Sequence, residues 1–265
     1  MENCSAFEDP YGFNFYLSVW LAIGIFVSYV PQHVRIIRRK TSEGISPYFL
    51  LLGITSGVCA LFNILLISNN IYECCSILSG GKCFAASLAI IQIFIQSVAA
   101  ALILVFALIF TRNQRLEPKE DYFELVQVGK SCLTFSVIGG ALSIYIYFFN
   151  PSAVGFVADS FGILGSILAA IQYFPQIYTT LHIQHAGSLS IPMMCMQTPG
   201  GFAWSFSLAM REGTKWSSWM PYFTAAFLQG ILLAIAVYFE LRNKRRAKTI
   251  SESTETTENT PLILP

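Results

Sequence analysis

Two Pro-Gln pairs stand inside apolar stretches of this chain, in Tyr29-Val30-Pro31-Gln32 and in Tyr173-Phe174-Pro175-Gln176. A proline within a helix removes one backbone N–H and pushes the helix to kink. The glutamine beside it brings an amide that both donates and accepts hydrogen bonds. Pro31 with Gln32, and Pro175 with Gln176, therefore read as two hinges, each with a polar handle for freed backbone groups or a solute. The competing reading is a static kink that only shapes packing. Each pair leads into a small polar turn containing glycine, Lys40-Thr41-Ser42-Glu43-Gly44-Ile45-Ser46 and Gln184-His185-Ala186-Gly187-Ser188-Leu189-Ser190.

Other polar residues interrupt the apolar runs. Asp159 falls near the start of one of them. An ionised carboxylate in hydrocarbon is costly enough to face a cavity, a partner or water, where it binds a proton or the amino group of a solute. Alternatively it lies among headgroups, favoured by the helix dipole. The amides Asn63, Gln92, Gln96, Gln172, Gln197 and Gln229 form a second set. Amides coordinate a zwitterion without adding net charge, and they also bond between helices for about 1 kcal/mol or less. Gln92 and Gln96 share one helix face by their spacing. Pro199, Gly200 and Gly201 mark a candidate helix break that exposes backbone groups; Gly53 and Gly57 serve either as a break or as close helix contacts. His182 and His185 read as solvated loop residues, and Trp216 and Trp219 as interfacial anchors. The sequence offers no nucleophile–base pair, no phosphate loop and no metal-ligand spacing. Enzyme activity, a cofactor, a metal centre and a nucleic-acid partner are therefore not expected.

The elements that must hold these residues are membrane spans. The 265 residues are 54% hydrophobic and only 12% charged, with a mean hydropathy of +0.58. A span needs about 20 mostly apolar residues. Seven windows qualify: Phe15–Ile37, Pro47–Ser68, Phe84–Phe110, Leu125–Phe149, Phe156–Leu181, Ile191–Met210 and Met220–Leu241. The sixth is the most interrupted. The first is too long, and wrongly flanked, for a cleaved signal peptide.

Charge is strongly asymmetric. Thirteen basic residues (Arg35, Arg38, Arg39, Lys40, Arg112, Arg115, Lys119, Lys130, Arg242, Lys244, Arg245, Arg246 and Lys248) fall on one side, and Lys82, Arg211 and Lys215 on the other. The positive-inside rule puts the C-terminus in the cytosol and the N-terminus in a lumen. Cys4, Cys74, Cys75 and Cys83 then fall on the lumenal side, where disulfides persist, without a readable connectivity. Cys59, Cys132 and Cys195 fall inside spans as small apolar residues. Asn3-Cys4-Ser5 is a glycosylation sequon close to the membrane.

The two halves repeat. Shifting the chain by 144 places Tyr29, Gln32, Ser46, Gly57 and Phe62 on Tyr173, Gln176, Ser190, Gly201 and Phe206. Two three-helix units with one helix between them account for seven spans, and an odd linker makes the repeats parallel. The expected organisation is a lumenal N-terminus (1–14), a first repeat (15–110), a linker helix (125–149), a second repeat (156–241) and a Ser/Thr/Glu-rich tail (247–265) read as disordered. The fold class is an all-α integral membrane protein of seven transmembrane helices, 3+1+3.

The doubled Pro-Gln helix followed by its Gly-containing turn resembles the PQ-loop repeat proteins, which include lysosomal and vacuolar amino-acid exporters and the cystine carrier. The resemblance implies two triple-helix bundles around a central substrate site, with alternating access, an architecture shared with SWEET-type sugar transporters. There are departures. The second turn lacks the Lys-Ser-x-x-Gly form, and Gln197 stands before Gly200-Gly201 where the cystine-carrier branch has an aspartate, so the proton-carrying group of that branch is missing at this position. The tail carries Glu258, Leu262 and Ile263 in the spacing of an acidic dileucine sorting signal read by clathrin adaptors. The expected function is vacuolar or lysosomal transport of an amino acid or similar small solute, with lipid as surroundings and proton coupling at Asp159. A seven-helix solute sensor without transport, or an endoplasmic-reticulum factor for lipid-linked sugar use, are the alternatives.

Overall fold

The computed structural model describes residue 4 and residues 13–112, 119–209 and 216–258. Nine α-helices occur among them: α1 (Phe13–Arg39), α2 (Pro47–Ile67), α3 (Asn69–Cys75), α4 (Gly80–Arg112), α5 (Lys119–Phe149), α6 (Val154–Ile171), α7 (Tyr173–Ile183), α8 (Ile191–Ala209) and α9 (Trp216–Glu258). Each of the seven apolar windows holds a helix, the fifth holding two in line. Six stretches are long and apolar enough to cross a membrane: Ser18–Arg39, Pro47–Ile67, Gly80–Thr111, Tyr122–Phe149, Pro151–Ile183 and Tyr222–Thr249. Among the described residues the protein is all-helical, and it is a multi-pass membrane protein. Helix α8 is not among the six; Gln197, Pro199 and the paired glycines dilute its apolar content.

Local signals start and stop these helices in matched fashion. Ser46 caps α2, its Oγ accepting from the Phe49 N–H, with Pro47 in the first turn. Ser190 does the same for α8, accepting from the Met193 N–H at 3.3 Å. Such caps satisfy helix-start donors that otherwise have no partner. At the other ends α1 closes on Lys40 (φ 54°) and α7 on Gln184 (φ 55°), both left-handed. Their N–H groups bond Ile36 O at 2.8 Å and Thr180 O at 3.1 Å.

In each half the third long helix lies between the other two: α4 touches α1 and α2, while α9 touches α6, α7 and α8. The halves meet where α2 packs on α6 and α1 on α8, and α5 lies against α2. In lipid the drive for such contacts is close packing and interhelical hydrogen bonding, because tails and side chains are equally apolar. Glycines supply the closeness. A Cβ on Gly165 of α6 would stand 3.0 Å from the Cys59 Cβ and 3.2 Å from the Ser56 carbonyl of α2. Ser56 Oγ donates to Gly165 O at 2.8 Å and Asn63 Nδ2 to Ala158 O at 2.7 Å across the same seam. Gly57 and Gly201 take the close-contact role as well, against Ser97 of α4 and Ala226 of α9.

Two expectations are corrected, and two features are added. Pro199, Gly200 and Gly201 do not break their helix: α8 runs unbroken through them, since a proline removes one N–H and Gly201 is used for packing. The fifth window is divided at Gln172 between α6 and α7, although Gln172 keeps right-handed helical backbone and its N–H bonds Leu168 O; Pro175 leaves the Ile171 carbonyl without its N–H partner, as Pro31 does for Val27 within the unbroken α1. The stretch 247–258, read as disordered, continues α9 to Glu258; it contains no glycine or proline to stop it. A short helix, α3, fills the connection after α2. Two disulfides staple that connection, Cys4–Cys74 and Cys75–Cys83, while Cys59 and Cys132 are buried thiols and Cys195 is an exposed one.

Peptide mapping without reductant is expected to recover the peptides of Cys4, of Cys74 with Cys75, and of Cys83 as one linked species that reductant separates. Gly165→Leu is expected to lower thermal stability by about 1–3 kcal/mol through overpacking of the α2–α6 seam, measured by melting in detergent. An unchanged melt would mean that this contact is looser than the distances imply.

Candidate functional site

The two Pro-Gln glutamines are buried, Gln32 at 2% exposure and Gln176 at 0%, and each binds the turn of the other half. Gln32 Nε2 donates to Ser188 O at 2.9 Å, and its Oε1 accepts from the Ser190 N–H at 2.6 Å. Gln176 Nε2 donates to Gly44 O at 2.7 Å, and its Oε1 accepts from the Ser46 N–H at 2.8 Å. Residues 44 and 46 become 188 and 190 under the repeat shift of 144, so the two clamps are one geometry made twice. Thr180, also buried, extends the second clamp: its hydroxyl donates to Gln176 O at 2.9 Å and receives Gln176 Nε2 at 3.3 Å.

The clamped turns touch each other. Ser188 N–H donates to Glu43 O at 2.6 Å, and Ser188 Oγ to Thr41 O at 2.6 Å. Gly44 (φ 89°) and Gly187 (φ 51°) lie back to back in left-handed backbone. A side chain on Gly187 would run into the Glu43 carbonyl and the Gly44 Cα. Only glycine gives both that backbone and that closeness. From α1, Arg35 donates to Gly187 O through Nε at 3.1 Å and Nη2 at 2.8 Å, and Arg39 through Nη1 at 2.6 Å. His185 and Glu43 pair at 3.4 Å across the junction. These bonds join the two turns to each other and to α1 and α7.

Deeper in the bundle a second polar group joins α1, α8 and α9. Gln197 Nε2 donates to Ser28 Oγ at 3.1 Å, and its Oε1 accepts from Gln229 Nε2 at 3.2 Å. Tyr29 lies within interaction reach of Gln197. Tyr173, the repeat partner of Tyr29, lies within electrostatic reach of it and packs on Phe49 with ring centroids 5.9 Å apart. Thr198 Oγ1, beside Gln197, is buried without a hydrogen-bond partner. The group is neutral and carries both donors and acceptors, so it suits a zwitterion rather than an isolated charge.

The structure sorts the remaining candidates. Asn63 and Gln92 are tied between helices, Asn63 to Ala158 O and Gln92 to Ser18 O at 2.7 Å. Gln96 is exposed, so this pair on one helix face divides its roles. Gln172 donates to Ala169 O at 3.1 Å and fits the hollow at Gly53, where a Cβ would stand 2.5 Å from its Oε1. Asp159 is exposed on α6 near the end that bears the disulfides. It lies seven and eleven residues before Ser166 and Ala170, hence on one helix face with them. Glu258 ends α9; Leu262, Ile263 and the Asn3 sequon lie outside the described residues.

Sequence reasoning did not single out Arg35, Arg39, Ser28 or Thr180. Arg35 and Arg39 counted only as surface charge. The repeat shift aligns Gly44 with Ser188 and Ser46 with Ser190, which marks the two turns as equivalent but gives no sign of these four residues.

Replacing Gln32 by Leu strands the Ser188 carbonyl and the Ser190 N–H, both buried, at about 1–3 kcal/mol each. Gln176→Leu strands Gly44 and Ser46 equally. The two single variants are expected to lose similar stability in detergent melts, and the double variant less than their sum, since both clamps hold one contact. Strict additivity would contradict the shared junction.

Comparison with known proteins agrees with this internal symmetry. The family model described as PQ loop repeat matches residues 13–73 and again 157–217, two segments offset by the same 144 residues. An uncharacterized protein of Schizosaccharomyces pombe is 32% identical over 251 aligned positions, covering 89% of this chain and 83% of its own length. With two matched repeats and a relative similar along nearly the whole chain, this protein belongs to the PQ-loop repeat family.

Proposed function

We propose that this protein carries amino acids or similar small solutes across the vacuolar or lysosomal membrane by alternating access. The observation that carries the reading is the reciprocal clamp: each half's Pro-Gln helix holds the other half's turn, so one end of the path is sealed by hydrogen bonds that a helix swing would release together. Helix α8 serves as a seventh span, which makes two parallel three-helix repeats around the linker α5. The basic residues near the turns then face the cytosol, and the stapled α2–α4 connection faces an oxidising lumen.

In this reading the Ser28, Tyr29, Gln197 and Gln229 cluster receives the solute from the opposite end, where Asp159 is exposed. Gln197 in place of a carboxylate leaves this cluster without a proton carrier, so coupling to a pH gradient falls to Asp159. Amide and hydroxyl groups that now bond each other exchange those bonds for the ammonium and carboxylate of the solute, at modest cost because each bond is replaced rather than lost. The tail supplies the address to the vacuole through Glu258, Leu262 and Ile263, read by a clathrin adaptor.

The test is uptake of a radiolabelled amino-acid panel by vesicles holding the purified protein, with and without an imposed pH gradient. At least one zwitterionic amino acid is expected to move. Gln197→Ala is expected to raise its half-saturating concentration about tenfold, the effect of losing roughly 1.4 kcal/mol. Asp159→Asn is expected to abolish stimulation by the gradient while leaving exchange intact. Solute-dependent stabilisation without flux would instead mark a sensor, and stimulation unchanged in Asp159→Asn would remove Asp159 from coupling.

A further inference from the structure

We infer that Arg35 and Arg39 form a binding site for the phosphate of an anionic lipid headgroup in the leaflet at the turn end of the bundle. Both guanidinium groups converge on a single neutral acceptor, Gly187 O, at 2.6–3.1 Å. Two like charges brought this close repel each other, and Arg35 lies within electrostatic reach of Arg39. A carbonyl satisfies N–H donors but neutralises no charge.

The nearby acids offset this charge only in part, because they have other partners as well. Glu240, which Arg35 also feels, pairs with Lys244 at 3.6 Å. Glu43 pairs with His185 at 3.4 Å. Gly187 O takes three of the ten guanidinium N–H donors this pair carries, five to each arginine. A tetrahedral phosphate presents several oxygens to such forks and cancels the repulsion at the same time.

Position selects the source of the phosphate. Arg39 is the last residue of the apolar stretch Ser18–Arg39 and is exposed, whereas Arg35, one turn deeper, is half-buried. That places the pair where a span meets the headgroup layer, with the stems in hydrocarbon and the charges at its edge. Basic residues at this depth draw anionic lipids. A headgroup bridging the two arginines favours the arrangement in which both reach Gly187 O. It therefore holds the turns together, and its release is linked to their separation.

The experiment measures lipid binding by native mass spectrometry and by melting of the purified full chain in detergent, titrated with phosphatidylinositol 4-phosphate or phosphatidylcholine. The phosphorylated lipid is expected to bind and to raise the melting temperature, and phosphatidylcholine to do neither. Arg39→Gln is expected to weaken binding about tenfold, as loss of one charge-assisted hydrogen bond does. Arg38→Gln removes the same charge one residue away and is expected to leave affinity within about twofold, the size of a screened surface charge. Arg39→Lys keeps the charge without the fork and is expected to fall between them, which separates binding from folding. Equal losses in Arg38→Gln and Arg39→Gln, or equal affinity for both lipids, would overturn the site. Inorganic phosphate raising the melting temperature as strongly as the lipid would overturn the lipid as its source.

Discussion

A backbone carbonyl or N–H shielded from water must find its partner inside the protein, because an unmade hydrogen bond there costs about as much as several good contacts supply. That requirement governs the turn end of this bundle. Each turn presents one carbonyl and one N–H, at Gly44 and Ser46 or at Ser188 and Ser190, that its own half leaves open. The amide of a glutamine is the side chain with matching donor and acceptor, and it arrives from the other half in both cases. Neither half is complete at this end without its counterpart. The proline before each glutamine leaves one helix carbonyl without its N–H partner, close to the side chain that completes the other half's turn.

The same economy explains why the two ends of the molecule differ. At the turn end, glycines allow backbones to touch and buried amides lock them. At the far end, covalent staples at Cys4–Cys74 and Cys75–Cys83 fix a connection that has no counterpart in the shorter second half. Between them, tyrosines, amides and serines of α1, α8 and α9 form a neutral polar layer whose members now satisfy one another. The protein is thus hydrogen-bonded across its halves at one end, polar in the middle, and carries exposed Asp159 near the other.

Much of the fold was legible because membrane helices are read by hydropathy and length. The seven windows match α1, α2, α4, α5, α6 with α7, α8 and α9, and the repeat shift of 144 recurs in the hydrogen bonds. Legibility failed where one backbone property competed with another. Pro199 beside two glycines reads as a break, yet packing on Ala226 keeps α8 whole. Pro31 and Pro175 each remove one N–H, yet α1 runs through Pro31 while the fifth window is divided at Gln172, so the proline alone does not set where a helix is divided. The site was legible in part. Gln32 and Gln176 stood out through repetition, and Gln197 with Gln229 by residue type. That the glutamines cross between halves, and that Arg35 and Arg39 meet on Gly187, depends on how the halves face each other, which no local pattern encodes.

The central claim is that the two glutamine clamps hold the turns together. It is tested most directly by the distance between spin labels at the exposed positions Arg38 and His182, on the helices that lead into the two turns. With Cys59, Cys132 and Cys195 replaced and both disulfides kept, the clamped protein is predicted to give one narrow distance distribution. The Gln32→Leu, Gln176→Leu double variant is predicted to add a longer population. A single unchanged narrow distribution in the double variant would contradict the account.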